Sequence, residues 1–115
     1  MKNKQIFDEL FFFAKVKKCP VVFLGKKSLI SLRDFLAGMN YAFSFYNEEN
    51  YFKYFHEFID WYHHNQIKSL SGYACWWNHI LYTSGNDDCL AFDEFFKEFE
   101  LYLSNVYHLT LPIID

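Results

Sequence analysis

Large apolar side chains recur every three or four residues along most of this chain, and this periodicity limits its fold more than any other feature. In residues 88–103 the apolar positions are Leu90, Phe92, Phe95, Phe96, Phe99 and Leu103. Residues 5–17 repeat the pattern at Phe7, Leu10, Phe11 and Ala14. Such spacing places side chains on one face of an α-helix. Similar stripes predict helices over residues 28–46, 51–64 and 72–83. We therefore expect an all-α fold, with residues 1–115 forming a single compact domain of four to five amphipathic helices.

The helical pattern is interrupted near residues 20–24. Pro20 precedes a short run rich in valine and Gly25 ends it, so we expect a short extended segment followed by a turn. Ser28 is suited to the N-cap of the next helix. Inside that helix, Gly38 lowers helix stability by about 1 kcal/mol relative to alanine. We expect a neighbouring helix to approach Gly38 closely in compensation.

Charge is distributed unevenly along the sequence. Residues 1–33 contain eight basic and two acidic side chains, a net charge of +6, whereas residues 85–115 contain one basic and seven acidic side chains, a net charge of −6. The acidic final third argues against contact with a phosphate backbone and favours a basic partner. A solvated helix face is the alternative explanation. The lysines of the first third do not share one clear helix face, so nucleic-acid binding is not expected.

The sequence also bears on cellular location. Charged residues interrupt every apolar run before it reaches the roughly 18 residues of a membrane span, so no membrane association is expected. Asp8 and Glu9 interrupt the first apolar run, and no small-residue cleavage site follows it. Three widely spread cysteines are atypical of a secreted disulfide framework. These features predict a cytoplasmic protein with free thiols.

A pair of ligand-like residues stands in "GYACWWNHIL", residues 72–81. Cys75 and His79 are four residues apart, a spacing that places a thiolate and an imidazole on one helix face and suits zinc. Further ligands would come from His56, Asp60, His63 and His64. The sequence has no CxxC or HExxH motif, so we expect no metal or other cofactor. A metal- or ligand-binding module that uses Cys75 and His79 is kept as the alternative function.

Enzymatic motifs are not evident. Cys75 lies inside a predicted helix and lacks the signature of an activated nucleophile. "FLGKKSL" lacks the upstream glycine of a phosphate-binding loop. The acidic residues of the last helix are expected on a hydrated face, where nothing would separate their pKa values for acid–base work. The sequence therefore predicts a protein that is not an enzyme.

Three segments together resemble the small bacterial immunity proteins encoded beside polymorphic or contact-dependent growth inhibition toxins. They are "CPVVFLGKKSLISLRDFLAGMNYAF", "FHEFIDWYHH" and "GYACWWNHILYTSGNDDCLAFDEFFKEFELYL", which lie within residues 19–103. The shared features are mostly core patterns and include no catalytic signature. The sequence departs from the family at Cys19, where a basic residue is expected before the proline, and in its additional aromatic residues Phe43, Phe45 and Tyr46.

The resemblance implies a protein that inhibits by binding. Its partner would be the C-terminal domain of a cognate toxin, which is often a nuclease with a basic surface. An acidic helix face would complement that surface. The contact residues expected on this basis are Asp87, Asp88, Asp93, Glu94 and Glu98. A subunit of a larger complex, held by exposed aromatic side chains, is a further alternative.

Overall fold

The computed structural model describes residues 7–45, 51–67 and 75–115, and in these ranges the chain is helical and contains no β-strand. The helices are α1 (Glu9–Lys18), α2 (Pro20–Leu24), α3 (Leu29–Phe43), α4 (Lys53–Asn65), α5 (Trp76–Thr83) and α6 (Asp88–Tyr102). A π-helical turn, Leu103–Tyr107, continues α6. The all-α prediction is confirmed. The predicted helix positions 5–6, 46 and 72–74, including Tyr46 and Tyr73, lie outside the described residues.

Helix α6 is the centre of the fold and contacts α3, α4 and α5. Most of its apolar face is buried as the spacing predicted, with Phe95 and Phe99 fully inaccessible to solvent. Leu90 is 54% exposed, so the inward position predicted for it is wrong. The ring of Phe99 lies 4.9 Å from that of Phe13 in α1 and 5.4 Å from that of Phe58 in α4. Aromatic rings at tilted and edge-to-face angles therefore fill the core between helices.

The extended segment predicted near residues 20–24 is wrong, because these residues form α2. Pro20 occupies the first helical position, where its fixed φ suits a helix and its missing N–H is not needed. Gly25 ends α2 with a φ of 80°, the left-handed conformation that glycine adopts most easily. The proline and glycine thus mark the start and the end of a short helix. With α2, the described chain has six α-helices and not four to five.

The inner face predicted for the first helix is only partly correct. Ala14 is buried, but Phe11 is 42% exposed, and Phe13 and Val16 contribute to the core instead. Because three phenylalanines follow one another, the sequence does not determine which of them faces the core. The orientation is fixed by Phe13, whose ring also packs at 6.0 Å from Phe52.

Gly38 does not lie at a close helix contact. A Cβ atom added there would meet nothing within 4 Å among residues 7–45, 51–67 and 75–115, so the predicted close approach is not found in these ranges. The glycine lies on an exposed side of α3.

The starts of α3 and α4 are capped in different ways, α3 by its own N-cap residue and α4 by a residue distant in sequence. Ser28 caps α3 as predicted, since its hydroxyl accepts a hydrogen bond from the amide of Ser31 at 2.9 Å. Helix α4 has no side-chain cap of its own. The carboxylate of Glu9 in α1 takes that role and accepts hydrogen bonds from the amides of Tyr54 and Phe55 at 2.9 and 2.7 Å.

Within the described ranges, no helix combines the length and apolar character that crossing a membrane requires.

Candidate functional site

The acidic residues of α6 lie on two sides of the helix with different surroundings. On the side near α1 and α2, carboxylates are paired with lysines. Lys27 contacts Asp93 at 2.9 Å, and Lys17 contacts Glu100 at 2.5 Å. Of the predicted contact residues, Asp93 is therefore already in an ion pair, although its side chain remains 54% exposed.

Asp87 and Asp88 define the start of α6. Asp87 is its N-cap and accepts hydrogen bonds from the amides of Cys89 and Leu90 at 3.0 and 3.1 Å. Asp88 reaches α3, where it accepts hydrogen bonds from the hydroxyl of Ser28 and, at 3.0 Å, from the amide of Ile30. The hydrogen bonds of Asp88 thus connect the beginning of α6 to the beginning of α3.

Glu94 and Glu98 lie on the other side of α6, one helical turn apart. Glu98 accepts a hydrogen bond from the side-chain amide of Gln66 at 2.9 Å. Burial raises the pKa of Glu98 above its ordinary value, and the charge of Glu94 raises it further, while the Gln66 hydrogen bond and Lys97 oppose the shift. The ammonium of Lys97 lies 3.9 Å from the carboxylate of Glu94, at the outer limit of an ion pair.

Asp87 shares this side of α6, since it precedes Glu94 by seven residues. We call Asp87, Glu94 and Glu98 the acidic stripe.

A tyrosine–histidine pair lies near the acidic stripe. The hydroxyl of Tyr62 in α4 is 2.7 Å from Nδ1 of His79 in α5. Burial raises the pKa of Tyr62, and the charges of Glu98 and Glu94 add to this effect. Burial, with repulsion from His63, lowers the pKa of His79. Tyr62 therefore stays protonated and shares its hydrogen bond with a neutral imidazole.

The ligand-like residues of the sequence do not converge. Cys75 is exposed at the N-cap of α5, and Nδ1 of His79 is hydrogen-bonded to the hydroxyl of Tyr62. His64 contacts the backbone carbonyl oxygen of Asp60 in its own helix at 2.8 Å. Among residues 7–45, 51–67 and 75–115, no three His, Cys, Asp or Glu side chains come together in a way that would hold a metal ion.

The structure adds two residues to this surface that the sequence did not single out. Tyr62 is in the apolar stripe of α4 and is buried. Its hydroxyl nevertheless reaches the polar edge. Gln66 follows the last residue of α4, and no local pattern indicates that its amide meets α6. Both depend on the packing of α4 against α6.

Comparison of the chain with protein-family models, with curated protein sequences and with solved structures found no match.

Proposed function

We propose that this protein is an immunity protein that binds and neutralises a cognate bacterial toxin domain. Two things support the proposal: the resemblance of residues 19–103 to such proteins, and the electrostatic character of the acidic stripe. The second is the observation on which the proposal rests. Glu94 and Glu98 are one turn apart, and the repulsion between them is offset only in part by the charge of Lys97, which lies 3.9 Å from Glu94.

A basic toxin surface would relieve this repulsion. Lysine or arginine side chains of the partner would pair with Glu94 and Glu98, and the charge of Asp87 would extend the attraction along the helix. Complementary charge of this kind speeds association and discriminates between partners. The nuclease domains of such toxins have basic substrate-binding surfaces, so the stripe would compete with nucleic acid for the same groups.

Asp88 and Asp93 belong to the same proposed contact region but contribute less to it. Asp88 is engaged with Ser28 and Ile30, and Asp93 is paired with Lys27. Neutralising either residue would alter intramolecular contacts as well as the partner surface. Glu94 and Glu98 therefore make the cleaner test.

The test uses the toxin domain encoded beside this gene. The purified proteins should form a complex, and co-expression should protect cells from the toxin. The double variant E94Q/E98Q should bind about tenfold more weakly, chiefly through slower association, and the loss should shrink at high salt. The matched control D34N/D60N removes two exposed charges from α3 and α4 and should bind like the unaltered protein.

No complex and no protection would overturn the proposed function. If both double variants bind the toxin equally well, toxin binding is retained as the function, but the acidic stripe is not part of the contact.

A further inference from the structure

A pocket of about 200 Å³ opens between α3, α4 and α5, on residues that have no part in the acidic stripe. Its floor is apolar and consists of the buried side chains Leu36, Phe52, Phe55 and Trp76. The walls are partly exposed, with Ala37 on α3, Ile59 on α4 and Trp77 on α5. An apolar floor that remains open to solvent suits an apolar group of a ligand.

Arg33 supplies a cation at the rim. Its guanidinium carbon lies over the Trp77 ring, 4.4 Å from the ring centroid, in a cation–π contact with the pocket wall. Asp34 contacts one side of the guanidinium, with its Oδ1 at 3.0 Å from Nε and 2.9 Å from Nη2. Within the described ranges, Nη1 has no hydrogen-bond partner. This nitrogen remains available to an acceptor from a ligand.

Two neutral polar side chains lie on the same rim. Asn40 follows Arg33 by two helical turns and so shares its side of α3. His56 lies on α4, across the pocket. Burial lowers the pKa of His56, and the charge of Asp60 opposes this shift. Neither side chain has a hydrogen-bond partner in the part of the chain that the structure describes. Among the described residues, Nη1 of Arg33 and the side chains of Asn40 and His56 thus have no hydrogen-bond acceptor at the rim.

We propose that this pocket binds a small carboxylic acid with an apolar body, such as an aryl-substituted short-chain acid. The ring would rest on the floor beside Trp76, and the carboxylate would accept hydrogen bonds from Arg33 and Asn40. Arginine suits carboxylate recognition because its planar donors match the two oxygens. The pocket is smaller than the roughly 300–1,000 Å³ that drug-sized ligands occupy, so it fits a body of about one ring.

The chain carries its own reporters for a binding test. Trp76 and Trp77 line the pocket, whereas Trp61 packs against Phe58 and Tyr102, with ring centroids 6.2 and 5.6 Å away. Titration of 3-phenylpropionate into ¹⁵N-labelled protein should shift the indole signals of Trp76 and Trp77 saturably and leave that of Trp61 in place. The neutral analogue 3-phenylpropionamide should bind about tenfold more weakly, because it lacks the charge that Arg33 recognises.

Three variants distinguish binding in the pocket from a general effect of the protein's charge. R33Q should weaken binding of the acid about tenfold and leave the amide almost unaffected. K15Q removes a cation from α1 and should change neither. A37L, at an exposed wall position, should fill the pocket and abolish both shifts while the helical circular dichroism is retained. Equal shifts at all three tryptophans, equal affinity for acid and amide, or an unchanged R33Q affinity would each overturn the proposal, as would the absence of saturable shifts.

Discussion

At the scale of single residues, adjacent carboxylates have different functions in this fold. Asp87 and Asp88 are neighbours in sequence, and both were expected on a solvated acidic face. Asp87 is exposed and caps its own helix, whereas Asp88 spans to α3 and satisfies two donors there. Ser28, which donates to Asp88, is itself buried. A buried hydroxyl and a helix-start amide that lose their acceptor remain unsatisfied.

We therefore predict that Asp88→Ala lowers the free energy of unfolding by about 1–3 kcal/mol, the usual cost of an unsatisfied buried donor. The control Asp34→Ala, on an exposed side chain, should change it by less than about 0.5 kcal/mol. Urea denaturation followed by circular dichroism measures both. Equal stability of the two variants would show that the Asp88 contacts with α3 do not contribute.

At the scale of secondary structure, Gly25 and Gly38 both belong to helical segments but have opposite effects on stability. Gly25 ends α2 with a φ of 80°, a conformation that a residue with a Cβ rarely adopts. Gly38 is inside α3, where an added Cβ would meet no atom of the described residues within 4 Å. The first glycine is required by the backbone, and the second only increases the entropy of the unfolded chain.

This difference gives a matched pair of substitutions. Gly38→Ala should raise the free energy of unfolding by up to about 1 kcal/mol, because alanine favours the helix and loses less conformational entropy on folding. Gly25→Ala should lower it by about 1 kcal/mol, because the left-handed cap becomes strained. Thermal and urea denaturation of the two variants give the comparison. A destabilised Gly38→Ala variant would mean that the space beside Gly38 is occupied in solution.

The helices also show which parts of the structure sequence patterns can predict and which they cannot. The burial of α6 and the Ser28 cap were predictable, because helix periodicity and capping chemistry are local. Residues 20–24 were misassigned because a proline before a valine-rich run fits both an extended segment and a helix start. Contacts such as Gln66–Glu98 join residues that are 32 positions apart. Such contacts depend on how helices pack, and no local pattern encodes them.

At the scale of the whole molecule, Glu9 joins the first helix to the middle of the chain. Its carboxylate caps α4 across 45 and 46 positions of sequence, and the residue is buried. Burial raises the pKa of Glu9 from 4.5 to about 7, against the two backbone hydrogen bonds, which favour the charged form. The capping interaction that positions α4 therefore depends on a group that titrates within the neutral range.

The sign of the pH effect follows from this shift. The folded protein binds the Glu9 proton more tightly than the unfolded chain does, so the stabilising contribution of this group is complete below pH 4.5 and is lost as the pH rises to about 7. At about 1.4 kcal/mol per pKa unit, the loss is at most about 3.5 kcal/mol. His56 and His79, whose pKa values burial lowers, act in the opposite direction near neutral pH.

Comparison with Glu9→Gln isolates the Glu9 contribution, because the other titrating groups are common to both proteins. The unfolding free energy of the unaltered protein minus that of the variant should fall between pH 4.5 and 7 and be constant on either side. Glu57 provides a comparison of opposite sign, since hydrogen bonds from Tyr107 and Tyr102 help to lower its pKa, although its charge also adds to the raised pKa of Glu9. The corresponding difference for Glu57→Gln should instead rise with pH, at pH values around and below 4.5. Parallel curves for the unaltered protein and Glu9→Gln would show that Glu9 ionises in the folded state as it does in the unfolded chain.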